Sequence, residues 1–269
     1  MKIDSLYLFP VKSLQGHITD SLSLDRYGAV DDRRWMLVDA ENRFVTQRRI
    51  RHMAQLRATV TPTGVRIQHR DGDEIEITQP GESAPVLRVT VWDDAVLARD
   101  AGDMAAHWLS ERLQTSVRLV AMGAEFHRPL AAPRADRQVG FADAAPLLVI
   151  SQASLDDLNA RLAEPVSMLN FRPNLVVSDC EPFAEDQWTR MIVHTRDGPA
   201  AFECTHPCAR CAIPGLDPLT GEVRREPLRT LARYRRGEDG QVYFGVNLAP
   251  ISGATATGTI NLGDRVEAI

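Results

Sequence analysis

Four short runs, Arg57-Ala58-Thr59-Val60-Thr61, Val65-Arg66-Ile67-Gln68-His69, Glu74-Ile75-Glu76-Ile77-Thr78 and Leu87-Arg88-Val89-Thr90-Val91-Trp92, follow one another with Thr63-Gly64, Asp71-Gly72 and a Pro/Gly/Ser stretch between them. Apolar residues recur at every second position, the period of a strand with one face in a core. Glycine, proline and aspartate punctuation at such even spacing predicts a small barrel or sandwich and not the alternating strands and helices of a parallel sheet.

Working outward, Ile3 to Phe9 alternates and ends in Phe9-Pro10-Val11-Lys12-Ser13, where proline stops the ladder in a tight loop. Asp31 to Val38 reads as a second strand with a charged entrance, and Asn42-Arg43 turns it into Phe44 to Arg48. Downstream, Ala105, Trp108, Leu109 and Leu113 share one face of a helix that opens near Asp100 to Asp103, with Trp108 in the core, and Val117 to Ala121 is again a strand. The polar, Pro/Arg-rich segment from Gly123 to Gln138 is then a linker or a mobile loop over a site; His127 and Arg128 in it either are solvated or border an opening. This places a boundary near residue 121, with domains at 1–121 and 122–269.

The second half opens with Phe141-Ala142-Asp143-Ala144-Ala145-Pro146 and a buried strand, Leu147 to Ile150. A helix capped by Ser151 or Ser154 follows, with Asp156 and Asp157 in its first turn and Leu155, Leu158 and Leu162 inward. Strands are expected at Leu175 to Ser178, around Trp188 to Val193, at Gln241 to Val246, Gly258 to Ile260 and Asp264 to Glu267, and a helix after Glu226-Pro227. The fold class is therefore α+β, predominantly β: two β-barrel-like domains with a few flanking helices.

The chain has 269 residues, 44% apolar and 25% charged, enough for one large or two modest cores. No window approaches the roughly 18 apolar residues of a membrane span, and Ile3 to Phe9 begins without a leader pattern, so a cytoplasmic protein with no membrane contact is expected. A net charge of −5 argues against a broad nucleic-acid surface. Of 31 basic residues only Lys2 and Lys12 are lysines, so guanidinium forks suited to bidentate phosphate contacts abound.

Four cysteines are too few for a disulfide scaffold, and three of them, Cys204, Cys208 and Cys211, lie within eight positions. The stretch His206-Pro207-Cys208-Ala209-Arg210-Cys211 runs on to Asp217-Pro218-Leu219-Thr220-Gly221 and reads as a rigid loop. Its cysteine spacing would suit an iron–sulfur cluster, but such sites occur early in a βα barrel. A zinc site from Cys204, His206, Cys208 and Cys211 would want a second ligand pair that is absent. A single thiolate in electropositive surroundings fits better, with Arg210 beside Cys211 and His206 close by. Cys208 and Cys180 read as small buried hydrophobes.

The motifs Pro10-Val11-Lys12-Ser13, Asp32-Arg33-Arg34-Trp35, Asp143-Ala144-Ala145-Pro146, Asn170-Phe171-Arg172-Pro173-Asn174, Cys208-Ala209-Arg210-Cys211 with Asp217 to Gly221, and Gly263-Asp264 fall in one order. In that order the chain resembles MOSC-domain proteins that carry an N-terminal β-barrel domain, and most closely the branch that includes the amidoxime-reducing component. The resemblance implies a molybdenum cofactor, with Cys211 as thiolate ligand to the metal. It implies that Lys12, Ser13 and Arg33 hold the pterin and its phosphate from one domain, and that Asp143, Ala144, Ala145, Arg172, Asn174, Ala209 and Arg210 hold it from the other. Relatives often have hydroxyl residues where Ala144 and Ala145 stand, so contact there would run through backbone. The implied activity is reduction of N-hydroxylated small molecules, with electrons from a separate ferredoxin- or flavoprotein-like donor. MOSC domains are also similar to the C-terminal part of molybdenum cofactor sulfurases, which implies the alternative of a sulfur carrier or cofactor-handling protein using a cysteine persulfide.

Overall fold

The chain opens with β1 (Lys2–Leu8), β2 (His17–Thr19), β3 (Ser21–Asp25), β4 (Gly28–Ala29) and β5 (Trp35–Val38). The hairpin runs become β6 (Leu56–Thr61), β7 (Gly64–His69), β8 (Glu74–Thr78) and β9 (Val86–Val91); β10 (Asp94–Asp100) and β11 (Arg118–Ala121) flank α1 (Asp103–Leu113). The second half holds β12 (Leu147–Ser151), α2 (Gln152–Asn159), β13 (Leu175–Ser178), β14 (Arg190–Thr195), β15 (Gly198–Ala209), α3 (Leu228–Tyr234), β16 (Tyr243–Pro250), β17 (Gly258–Asn261) and β18 (Arg265–Ala268). This computed structural model describes residues 1–251 and 258–269.

The larger sheet runs β13-β12-β16-β15-β14-β18-β1, and β13 also pairs with β1, so seven strands close a barrel. Closure leaves no exposed ladder edge in that ring. From Leu6 onward β1 and the residue after it are buried on both faces because they serve two cores: Ile3, Leu6 and Leu8 enter the barrel interior, while Tyr7 and Phe9 pack outside it with Phe171, Phe244 and the Leu155/Leu158 face of α2. A register shift between Ile3 and Ser5 sets that alternation. The sheets β5-β11-β10-β9 and β6-β7-β8 form a half-barrel whose apolar sides meet α1 and each other. Its expected boundary residue, Ala121, ends β11.

Three local expectations change. Phe44 to Arg48 is not a strand, because Arg49 and Ile50 both donate to the Thr46 carbonyl and turn the chain after the lone Val38–Phe44 bridge. The cysteine stretch is a strand as far as Ala209; Pro207 is tolerated because β14 pairs with β15 only up to Glu203, and register shifts flank it. Segment 123–138 is pinned: Arg134 donates to Glu203 at 3.0 Å, Arg137 pairs with the same carboxylate, and Arg128 is buried. α2 is capped as read, Ser151 Oγ accepting from Ser154 N at 3.1 Å, though Asp156 and Asp157 fall beyond its first turn. Among the described residues no helix is long and apolar enough to cross a membrane.

Candidate functional site

A cavity of about 230 Å³ lies where the loop after β1, the loops that lead into β5 and β12, and the turn Met168–Asn170 with the residues after it meet the end of β15. Its wall includes Lys12, Ser13, Arg33, Asp143, Ala144, Ala145, Arg172, Asn174, Ala209, Arg210 and Cys211, every residue singled out from the motifs. Ser13, Arg33 and Arg172 have φ of 64°, 46° and 57°, left-handed values that cost a non-glycine residue roughly 1–2 kcal/mol. Such turns reverse the chain sharply enough to aim successive side chains at one point. The surrounding ladder holds them: Lys12 N donates to Trp35 O at 2.8 Å, and Arg33 N to Phe9 O at 2.8 Å.

Phe9 organises the two central arginines. Its ring, almost fully buried, lies 4.4 Å from the Arg33 guanidinium and 4.3 Å from that of Arg172. Arg33 is anchored by Asp32 at 2.6 Å, Asn174 Oδ1 at 3.1 Å and Arg172 O at 3.0 Å. Among the described residues the Arg172 guanidinium donates to the Leu14 carbonyl alone, at 2.8 Å. Burial, and then the charge of Arg33, pull Arg172 down to about 9, with Asp32 and Asp143 opposing.

Lys12 is buried and donates to Phe141 O at 2.7 Å and to Asp143 Oδ1. Burial lowers its pKa, with Asp143 opposing and Arg128 and Arg33 adding to the depression. For Asp143 burial pushes upward, but the Lys12 ammonium, hydrogen bonds from Lys12 and Trp92, and the Arg33 charge prevail and hold it well below the usual carboxylate range. The Asp143 side chain nonetheless keeps 57% of its surface open because it stands on the cavity wall. Both of its partners, Lys12 and Trp92 (3.1 Å), use Oδ1, which leaves Oδ2 for a ligand.

Arg210 donates through Nε to Phe244 O at 2.8 Å and through Nη1 to Phe171 O at 3.0 Å, while its buried Nη2 has no partner among the described residues. Cys211, next in sequence, is exposed. Cys208 packs partly into the Phe171/Phe244 core, and burial raises its pKa against the pull of Arg210. Cys204 packs against the barrel interior and is pushed up to about 12 by burial. Of three cysteines close in sequence, Cys204 therefore faces the barrel core, Cys208 lies between a second core and the cavity, and Cys211 lines the cavity. Among the described residues no three His, Cys, Asp or Glu side chains converge on a metal position.

The motifs missed several participants. Arg128 bonds to Gly140, Ala142 and Asp143 carbonyls at 3.0, 2.6 and 3.3 Å and so shapes the loop that bears Asp143; His127, beside it, is exposed. Trp92 reaches Asp143 from the half-barrel, and no local pattern at Trp92 signals this. His206 and Asn247 also line the cavity. Thr205 Oγ1 spends its proton on Asn247 O at 3.1 Å, so it accepts from His206 Nδ1 at 3.0 Å and leaves Nε2 free.

The MOSC domain matches residues 136–267, and the MOSC N-terminal beta barrel domain matches residues 1–116. Mitochondrial amidoxime-reducing component 1 of Xenopus laevis is 32% identical over 98% of this chain and 81% of its own length. The protein of the same name from Mus musculus is 33% identical over 98% of this chain and 81% of its own; that from Danio rerio is 32% identical over 90% and 75%. With two domains matched in sequence order and relatives this similar along nearly its whole length, the chain belongs to the family that joins a MOSC N-terminal beta barrel domain to a MOSC domain.

Proposed function

We propose that the cavity holds a molybdopterin-type molybdenum cofactor, with Cys211 as thiolate ligand to the metal, and that the protein reduces N-hydroxylated compounds such as hydroxylamines and amidoximes. One observation carries the reading: Arg172 and Arg210 face a single cavity with no carboxylate partner among the described residues, beside an exposed thiol. The cofactor's phosphate is the kind of dianion that would accept from the free Nη2 of Arg210 and relieve the buried charge of Arg172. Lys12 and Arg33 are already neutralised by Asp143 and Asp32, so they orient more than they attract. Asp143 Oδ2 would accept from a pterin N–H, and Ala144 and Ala145 offer backbone groups only.

When bound, the group supplies the two-electron chemistry that, with two protons, converts an N–OH to N–H and water. A soft thiolate suits such a metal. His206 Nε2 can hold one of those protons at the cavity wall, and the apolar flank of Leu147, Leu148 and Phe171 limits water there. Electrons come from a separate ferredoxin- or flavoprotein-like protein. A cytoplasmic setting keeps the four free thiols reduced.

The test is molybdenum and pterin content after expression in a host that makes the cofactor, comparing the parent with Cys211→Ser. Near-stoichiometric metal and pterin in the parent, metal reduced at least tenfold in the variant, and turnover of benzamidoxime by the chemically reduced parent are expected. Zinc, iron or no pterin in the parent overturns the reading, and a persulfide adduct in the intact mass would instead favour sulfur handling.

A further inference from the structure

We propose that the face around Leu219 is the docking surface for an acidic electron-donor protein; this rests on the reductase reading, which requires such a donor. The turn Asp217 to Gly221 rests on the half-barrel, Gln55 Nε2 donating to Thr220 O at 3.1 Å and Gly221 seated against the Arg51 carbonyl. Between this turn and strands β6 and β7 opens a groove of about 440 Å³ lined by Arg57, His69, Arg70 and Leu219.

Arg51, His52, Arg57 and Arg70 are exposed here, and among the described residues none of these arginines has an ion pair. Nearby carboxylates are occupied: Asp71 by His69 at 2.8 Å and by Arg112, Asp73 by Arg112, and Asp217 by Arg224 at 3.0 Å. Glu222, in the turn, has no ion pair among the described residues and stands against three guanidiniums. Leu219 and Val223 stand out of this rim with 57% and 58% of their surface exposed. An apolar centre inside a basic rim, on a chain of net charge −5, matches a partner with an acidic face around an apolar contact. The same overall charge disfavours nucleic acid.

The face also lies over the site. Leu219, Phe9 and Arg172 line one small cavity of about 20 Å³, and Arg172 lines the 230 Å³ candidate site as well. One aromatic ring with its two stacked arginines thus links the exposed leucine to the proposed cofactor position. Electron transfer weakens steeply with distance, so a thin wall is where a donor gains most by docking.

The test uses the cofactor-loaded protein and, as probe, an acidic plant-type [2Fe–2S] ferredoxin, with binding read by fluorescence anisotropy at low and moderate salt. The parent should bind in a salt-dependent way. The Arg51→Glu/Arg57→Glu/Arg70→Glu variant should bind at least tenfold more weakly, and Leu219→Ser should dissociate severalfold faster. The exposed pair Arg190→Glu/Arg196→Glu, on β14 and the turn after it, should stay within twofold of the parent. Dithionite-driven turnover should be unchanged in all of them. No ferredoxin binding by the parent at low salt, or equal binding by the triple variant, overturns the docking face. Salt-dependent binding that the triple variant loses, without dithionite-driven turnover in the parent, supports the face and sinks the reductase reading instead.

Discussion

Arg210 shows how one side chain can be both a strut and a binding group. Two of its nitrogens satisfy the carbonyls of Phe244 and Phe171, and the third is the buried donor left over. Lysine cannot reproduce that fork, so Arg210→Lys should leave at least one carbonyl unpaired. Thermal unfolding of cofactor-free protein should show a loss of about 1–3 kcal/mol. Pterin retained through gel filtration should fall more than tenfold. Cys211→Ser makes the contrast: its side chain is exposed, and unfolding should stay within about 0.5 kcal/mol of the parent while the metal is lost. Arg210 was legible as a candidate because it sits in a motif beside a cysteine. Its leftover donor was not, because which nitrogen is free depends on carbonyls from residues 171 and 244.

Glu203, on β15, decides what segment 123–138 is. Composition there reads as a linker, yet Arg134 and Arg137 both donate to this one carboxylate, and Leu130 of the same segment is buried. Hydrogen bonding from Arg134 and then Arg137, with burial opposing, holds the Glu203 pKa below its ordinary value. A depressed carboxyl pKa contributes stability that is full above the unfolded value of about 4.3 and is lost as pH falls through the folded one. Glu203→Gln should therefore cost about 1 kcal/mol at pH 7 and lower Tm by roughly 2–4 °C. That gap should hold down to about pH 5 and close below about pH 4. Trypsin should also cut near Arg134 and Arg137 several times faster in the variant. Polar composition predicts a loop correctly; whether the loop is tethered depends on a strand some 70 residues later, invisible locally.

At the scale of the molecule, the first strand belongs with the last ones. Lys2 lies opposite both Ser178 and Arg265, and Leu24 of β3 opposite Gly258 of β17. A fragment of residues 122–269 would open the barrel between β13 and β18 and expose the Leu175/Val177 side of its interior. Such a fragment should lack near-UV circular dichroism and cooperative unfolding, and adding a peptide of residues 1–30 should restore both in part. The strands themselves were readable because alternation with period two is a local consequence of one-sided burial, and the helices because α1 and α2 carry apolar faces and α2 a serine cap. Every residue that the resemblance singled out lies on the cavity wall. Sequence by itself thus determined a mostly β chain and the residues that could form one cationic site. Only the tertiary structure decided which strands close the barrel, that three neighbouring cysteines part to three environments, and that Trp92, Arg128 and His206 join the site. Those outcomes depend on contacts between residues distant in sequence, about 50 apart for Trp92 and Asp143 and more than 170 for Ile3 and Val177, where packing rather than local preference selects the partner.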